Sequence, residues 1–179
     1  MRKMYMVLLA TILITVSSFG QKGKNYLGVG GDLSLPTSDF GTYFKTGMGG
    51  YVKAILGVGK SGAVTFTTGY SSFKEAGDWT DFIGTQAVVP LLIGYRHNFN
   101  SFFVEPQIGY GIYPYKETSQ ENGFTSETGS AFTWAAGIGY VFNNKIEVSA
   151  RYQTGGSQGV NVGMFGLRVG YNFSLGGSK

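Results

Sequence analysis

Residues 57–62 form the sharpest match in this chain to a motif that carries chemistry. The sequence Gly-Val-Gly-Lys-Ser-Gly has the glycine spacing of a dinucleotide-binding loop and contains a Gly-Lys-Ser that resembles a phosphate-binding loop. Position 54, however, is alanine where the phosphate-binding loop needs glycine, and the residues that follow are typical of a strand. A phosphate site needs a helix N-terminus after the loop. We therefore predict a hairpin turn here and no bound nucleotide.

Few other residues could support catalysis or metal binding. The chain has no cysteine and a single histidine, His97, which excludes disulfides, thiolate nucleophiles and cysteine-ligated metals. A histidine base needs a nucleophile or a carboxylate within reach, and the sequence offers His97 neither. We predict that His97 is a polar residue at an interface, with no metal site and no cofactor. The lysines and arginines are scattered rather than clustered, so nucleic-acid binding is not predicted either.

A third set of reactive residues lies in segments where polar and apolar residues alternate. In residues 146–152 every even position is apolar and every odd position is polar, which is the period of a half-buried β-strand. This alternation places seven charged residues on the polar faces of strands: Asp32, Lys53, Arg96, Glu105, Glu147, Arg151 and Arg168. What these charged residues can do depends on which strands carry them and on how those strands are arranged.

The alternation recurs along the chain and predicts eight strands, at residues 26–35, 46–58, 63–73, 86–98, 102–113, 131–142, 146–153 and 162–173. No segment after Gln21 has apolar residues at helical spacing. The connections are alternately long and short: 36–45, 59–62, 74–85, 99–101, 114–130, 143–145 and 154–161. An even number of strands with short periplasmic turns and long extracellular loops is typical of outer-membrane barrels. We predict an all-β fold, an eight-stranded antiparallel up-and-down transmembrane β-barrel.

The two faces of the predicted strands support a membrane barrel over a soluble one. The apolar phase carries no charged residue, whereas a soluble barrel would have its charges outside. Aromatic residues of this phase fall near the strand ends, as in the girdles at membrane interfaces. The predicted periplasmic girdle comprises Tyr95, Phe102, Tyr140, Phe142, Tyr171 and Phe173. The predicted extracellular girdle comprises Tyr70, Tyr110, Phe132, Trp134, Tyr152 and Phe165.

Two prolines and the loop charges add further expectations. Pro90 and Pro106 fall inside predicted strands. A closed barrel has no edge to accommodate a missing N–H, so local bulges are expected there. The long loops are acidic, with a net charge of −4. Among their residues, Asp78 and Asp81 are candidates for binding divalent cations near glycolipid phosphates.

The N-terminus has the layout of a secretory signal peptide. Arg2 and Lys3 precede an apolar run at residues 4–16, and small residues follow at Ser18 and Gly20. The run is too short to span a bilayer as a helix, which needs about 20 residues. We predict a signal peptide at residues 1–20 and a barrel domain at residues 21–179.

With these features the chain resembles the small outer-membrane β-barrel proteins of the OmpA/OmpX/OmpW type. The resemblance covers residues 22–175 and rests on the signal peptide, the strand count, the loop alternation and the aromatic last strand Gly170-Tyr171-Asn172-Phe173. It implies a monomer in the outer membrane of a Gram-negative bacterium. The implied partners are outer-membrane lipid and glycolipid, and the barrel-assembly machinery that reads the terminal aromatic residue. Here Phe173 lies six residues before the end, which departs from that pattern.

Three classes of function remain open at this stage. The first is a non-catalytic envelope protein whose lumen is plugged by paired charges and which displays four surface loops for envelope integrity or adhesion. The second is a narrow pore for small, including hydrophobic, solutes. The third, a membrane enzyme, needs a Ser/His/acid set at the extracellular rim, where no histidine is predicted. An eight-stranded barrel leaves little free bore, so the plugged barrel is the preferred interpretation.

Overall fold

The computed structural model describes residues 24–76, 82–119, 123–157 and 160–175. The predicted signal peptide at residues 1–20 lies outside the described residues, as do Asp78 and Asp81. Within the described part of the chain, no α-helix has the length and apolar character needed to cross a bilayer.

Eight antiparallel strands pair in sequence order and close into a barrel, which confirms the predicted fold. The last strand pairs with the first from Tyr26 opposite Ser174 to Thr37 opposite Gly163. The bounds are β1 (Tyr26–Thr37), β2 (Gly47–Gly57), β3 (Gly62–Lys74), β4 (Phe82–Phe99), β5 (Phe102–Ser119), β6 (Gly123–Phe142), β7 (Ile146–Ser157) and β8 (Val160–Ser174). One short helix, α1 (Ser38–Tyr43), lies between β1 and β2.

The connections differ at the two ends of the barrel. We call the end that carries connections 58–61, 100–101 and 143–145, together with both chain ends, the turn end, and the opposite end the loop end. The predicted short turns are confirmed. By the rule that periplasmic connections are short, the turn end corresponds to the periplasmic side.

At the loop end the predicted long loops were wrong in large part. Most of residues 114–130 belongs to β5 and β6, which continue to residues 119 and 123, and β7 and β8 leave only residues 158–159 between them. The extensions are rich in Gly, Ser, Thr and Glu and carry no apolar alternation, so no strand pattern marks them in the sequence. Backbone pairing between two strands needs no such alternation once their register has been set in the part nearer the turn end.

Helix α1 was also missed. Its six residues bury only Phe40, and a segment of this length is too short to show a helical period in the sequence.

The prolines enter the barrel without the predicted bulges. The register between β3 and β4 is unchanged on both sides of Pro90, but the pairs Gly69–Pro90 and Tyr70–Val89 are missing from the ladder. Pro90 still pairs with Gly111 of β5 on its other side. Because each strand residue directs its N–H to one neighbour only, proline interrupts one ladder locally and needs no inserted residue.

Pro106 follows the same rule. Its pairing with β4 is missing, while it pairs with Ala136 of β6 in an unchanged register.

The outer wall of the barrel is apolar. Large apolar side chains that point away from the lumen are exposed on every strand, among them Leu33, Met48, Phe66, Leu91, Ile108, Ile138, Val148 and Leu167. In water such a surface would be unfavourable, whereas in a bilayer it contacts lipid chains.

We expect Leu91→Arg and Ile138→Arg to lower the free energy of unfolding by about 2–4 kcal/mol each, because each places a guanidinium in the apolar wall. The wild-type side chains are 51% and 63% exposed. The measurement is equilibrium unfolding in urea of the chain refolded into lipid vesicles. Met48→Arg is the matched control because Met48 lies near the loop end of β2, where the cost falls to about 0–1 kcal/mol. Equal stability of all three variants would contradict the assignment of the outer face.

Candidate functional site

The interior of the barrel holds a cluster of four charged side chains that come from four different strands. We call Lys53, Arg96, Glu105 and Glu147 the charged cluster. The ammonium of Lys53 lies 3.1 Å from a carboxylate oxygen of Glu105 and 3.1 Å from one of Glu147. The guanidinium of Arg96 contacts the same two carboxylates at 2.6 Å and 2.9 Å. Each cation therefore bridges two anions, and each anion two cations.

Neutral side chains complete the hydrogen bonding of the two carboxylates. Oε1 of Glu105 accepts hydrogen bonds from Thr65 at 3.0 Å and Gln107 at 2.8 Å. Asn172 donates to Glu147 at 3.4 Å. Buried charges are tolerated when they are paired and their remaining lone pairs are satisfied. Both glutamates of the charged cluster meet that condition.

A second ion pair joins the first and last strands. Asp32 and Arg168 stand directly opposite each other in the β1–β8 ladder, and Nε of Arg168 donates to Asp32 at 2.7 Å. Ser34 donates to the other oxygen of Asp32 at 2.7 Å. The Arg168 guanidinium also lies 4.4 Å from the centre of the Tyr51 ring. This pair therefore sits on the seam where the barrel closes.

Glycines make room for Tyr51. A Cβ at Gly170 would collide with the Tyr51 hydroxyl, and one at Gly30 would lie 2.8 Å from its ring. An eight-stranded barrel has space for few large inward side chains. Backbone without side chains at these two positions therefore admits the ring on which Arg168 stacks.

All seven charged residues that the sequence placed on polar strand faces are buried in the interior. Arg96 pairs with Glu105, and Asp32 pairs with Arg168. Lys53 binds the two glutamates. Arg151 lies on the strand next to Arg168 and bonds to Gln153 rather than to a carboxylate.

An apolar layer lies inside the barrel on the side of the loop end. Phe40 of α1 packs against Phe73, with ring centres 4.9 Å apart. The layer consists of Phe40, Phe73, Val88, Tyr113, Val162 and Met164. The sequence missed it because Phe40 fell in a predicted loop. The other five members fall within predicted strands, but only the closed barrel brings them together in one layer.

The aromatic residues of both predicted girdles lie on the barrel wall. At the turn end, Phe102 packs on Tyr140 at 4.8 Å, and Tyr171 on Phe173 at 4.7 Å. Tyr95 and Phe142 are exposed at the same end. Further along the wall from the turn end, Tyr152 lies between Trp134, at 5.7 Å, and Phe165, at 4.9 Å. The remaining members of that girdle, Tyr70, Tyr110 and Phe132, are exposed.

The two motifs with catalytic potential have structural roles. Residues 58–61 join β2 to β3, with the Val58 N–H donating to the Gly62 carbonyl at 2.8 Å and Gly59 at a positive φ of 109°. The predicted hairpin turn is therefore confirmed. His97 lies at the turn end between Tyr95 and Phe99, with ring centres 6.3 and 4.6 Å away. Within the described ranges, no three His, Asp or Glu side chains are grouped to hold a metal ion.

We expect Glu147→Gln to lower the free energy of unfolding by about 3–5 kcal/mol, because it leaves Lys53 and Arg96 sharing a single carboxylate. Glu147 is 1% exposed. Equilibrium unfolding in lipid vesicles measures the change. Glu127→Gln removes the same charge from an exposed position on β6 and should change stability by less than about 0.5 kcal/mol. If both variants lose equally little, the charged cluster does not hold the barrel together.

Comparison with known proteins identifies the family. The family model described as "Outer membrane protein beta-barrel domain" matches residues 6–173. No curated protein matches the chain. Solved structures show the same fold: Ail, the attachment invasion locus protein of Yersinia pestis, has a TM-score of 0.69 at 18% identity, covering 86% of this chain and 100% of Ail.

Two Pseudomonas aeruginosa proteins are similar as well. The N-terminal barrel domain of OprF has a TM-score of 0.57 at 15% identity, covering 85% of this chain and 100% of that domain. OprG has a TM-score of 0.53 at 11% identity, covering 87% of this chain and 98% of OprG. A closed eight-stranded barrel with an apolar wall and a charged interior agrees with the family match over nearly the whole chain, and the chain belongs to the outer membrane protein β-barrel domain family.

Proposed function

We propose that this protein is a non-catalytic integral outer-membrane protein whose lumen is plugged by its own side chains and whose loop end serves envelope integrity or adhesion. The observation that carries the proposal is the packing of charged and apolar side chains inside the barrel. The charged cluster and the Asp32–Arg168 pair fill the middle of the lumen, and the apolar layer lies between them and the loop end. A barrel built in this way is a rigid support rather than a channel.

A non-catalytic role is supported by the distribution of reactive groups. His97, the single histidine of the chain, is packed among aromatic rings at the turn end. The carboxylates in the lumen are engaged by cations of the same barrel. Hydrolytic chemistry on a membrane or surface substrate would need such groups together at the loop end.

A contact role for the loop end is supported by the extended strands. Residues 123–132 of β6 pair with β5, while the described pairing of β6 with β7 begins only at Thr133. In the described part of the chain, the outer ten residues of β6 thus have one unpaired edge. An exposed edge can add a strand from another polypeptide, with main-chain hydrogen bonds providing the affinity.

The charge of the loop end bears on the kind of partner. Ail was solved in complex with the heparin analogue sucrose octasulfate. The loop segments of this chain carry a net charge of −4, which repels a polysulfated ligand. We therefore propose contact with a polypeptide through the β6 edge rather than with a sulfated glycan.

The other partners follow from the wall and from the last strand. We propose that the apolar wall contacts outer-membrane lipid, that the loop end contacts glycolipid, and that the protein works as a monomer. We also propose that the assembly machinery reads β8 through Tyr171 and Phe173, which are exposed on its outer face.

A cavity at the loop end favours a narrow passage for small solutes as the second candidate. It has a volume of about 280 Å³ and is bordered by aromatic rings and by Glu75 and Glu127. Phe40 and Tyr113 of the apolar layer are among its lining residues. A solute that entered here would have to displace this layer to go further.

Conductance of the refolded chain, residues 21–179, in a planar bilayer separates the two candidates. We expect no steady ohmic current, because the interior is filled. Insertion is verified by protease resistance of the barrel. Asp32→Asn and Arg168→Gln alter the lumen, and Lys145→Gln, in the turn between β6 and β7, is the control. Steady wild-type conductance that changes in the first two variants and not in the third would overturn the plugged barrel and establish a pore.

A further inference from the structure

Among the residues that the structure describes, the barrel interior contains one more cation than carboxylate. Its buried charged side chains are Asp32, Glu105 and Glu147 against Lys53, Arg96, Arg151 and Arg168. Three of the cations take up the three carboxylates in ion pairs. Arg151, only 7% exposed, forms no ion pair with any residue that the structure describes. A buried charge without a counter-charge is strongly unfavourable.

The hydrogen-bond donors around Arg151 are also incompletely used. One terminal nitrogen of Arg151 donates to the side-chain oxygen of Gln153. Its Nε and its other terminal nitrogen, together with the amide nitrogen of Gln153, have no acceptor among the described residues. Unpaired buried donors are rare in native proteins and need an explanation. Here two of the unpaired donors belong to Arg151, the cation without a carboxylate partner, and the third belongs to Gln153, which accepts its hydrogen bond.

A small cavity is lined in part by Arg151. Its volume is about 10 Å³, which is about the space that one water-sized sphere needs. Its charged lining is Lys53, Arg151 and Arg168 against Glu105. Both oxygens of Glu105 already accept hydrogen bonds, so the lining offers an excess of positive charge to whatever fills the cavity.

The neighbours of Arg151 leave this space open. Gly137 of β6 and Gly166 of β8 stand opposite Arg151 on the two flanking strands, and Gly137 borders the cavity. Ser149, one inward position away on the same strand, adds a hydroxyl to the lining. The cavity thus combines cations, donors and a volume for one small particle.

We propose that Arg151 binds a single monovalent anion of the size of chloride in this cavity. The anion accepts hydrogen bonds from the unused guanidinium nitrogens and balances the charge of the interior. A water molecule would accept the same hydrogen bonds but would leave the excess charge in place, so the two occupants predict different salt dependence.

The first test is the dependence of folding stability on chloride at constant ionic strength, with gluconate as the replacing anion. The refolded chain from residue 21 is unfolded in urea in uncharged phosphatidylcholine vesicles. Once chloride exceeds its dissociation constant, each tenfold increase should raise the folding equilibrium constant about tenfold. Arg151→Gln should abolish this dependence. Lys145→Gln removes the same charge outside the lumen and should retain it.

Two results would overturn the proposal. One is a wild-type stability that does not respond to chloride, which indicates water in the cavity. The other is an equal response in Arg151→Gln, which indicates an anion bound elsewhere.

If Arg151→Gln does not fold, the anion can be located directly in crystals of the wild-type protein. Wild-type crystals grown in bromide should show one anomalous peak in the cavity, within hydrogen-bonding distance of the Arg151 guanidinium. Density there without an anomalous signal would mean water and would refute the anion site. Neither experiment depends on whether the lumen conducts, so this proposal and the plugged barrel can fail separately.

Discussion

The pairing of β1 with β8 is the constraint on which the rest of the molecule depends. A bilayer offers no water to unpaired backbone groups, so strands can cross it only as a closed barrel. Twelve residue pairs, from Tyr26–Ser174 to Thr37–Gly163, close this one. Closure with eight strands fixes a narrow lumen. Inward side chains therefore meet one another across the barrel rather than water, and every inward charge needs a partner within that space.

The ion pairs in the lumen give the inward charges their partners, and these partners are distant in sequence. Lys53 and Glu147 are 94 residues apart, and Asp32 and Arg168 are 136 residues apart. Such contacts can form only when the strands that carry them are already nearly in place. Closing loops of this length costs conformational entropy, and the contact stabilises the chain only after the loop has closed. The charged cluster therefore favours one register of the barrel over its neighbours, since a slip of one residue would turn a charge to the lipid.

The sequence was sufficient where one physical rule acted on every strand. Lipid excludes charge from the outer wall, so alternation revealed the strands, their number and the inward placement of residues such as Glu105 and Arg168. It was insufficient where that rule stopped. The loop-end parts of β5 and β6 carry no apolar alternation and were assigned to a loop. The contacts of Lys53 depend on the curvature and stagger of the barrel, which bring β2 opposite β5 and β7. Phe40 lies in a helix too short to have a period.

The contrast between the apolar-walled part of the barrel and the extensions at its loop end also bears on where the protein contacts other molecules. On the strands, outward residues form an apolar wall and inward residues pack against one another. Beyond the apolar layer that contains Tyr113 and Val162, β5 and β6 continue as paired backbone. In the described part of the chain, the outer part of β6 has an unpaired edge. The display function that we propose fits this arrangement, because a closed barrel holds the loop end in position without taking part in the contact.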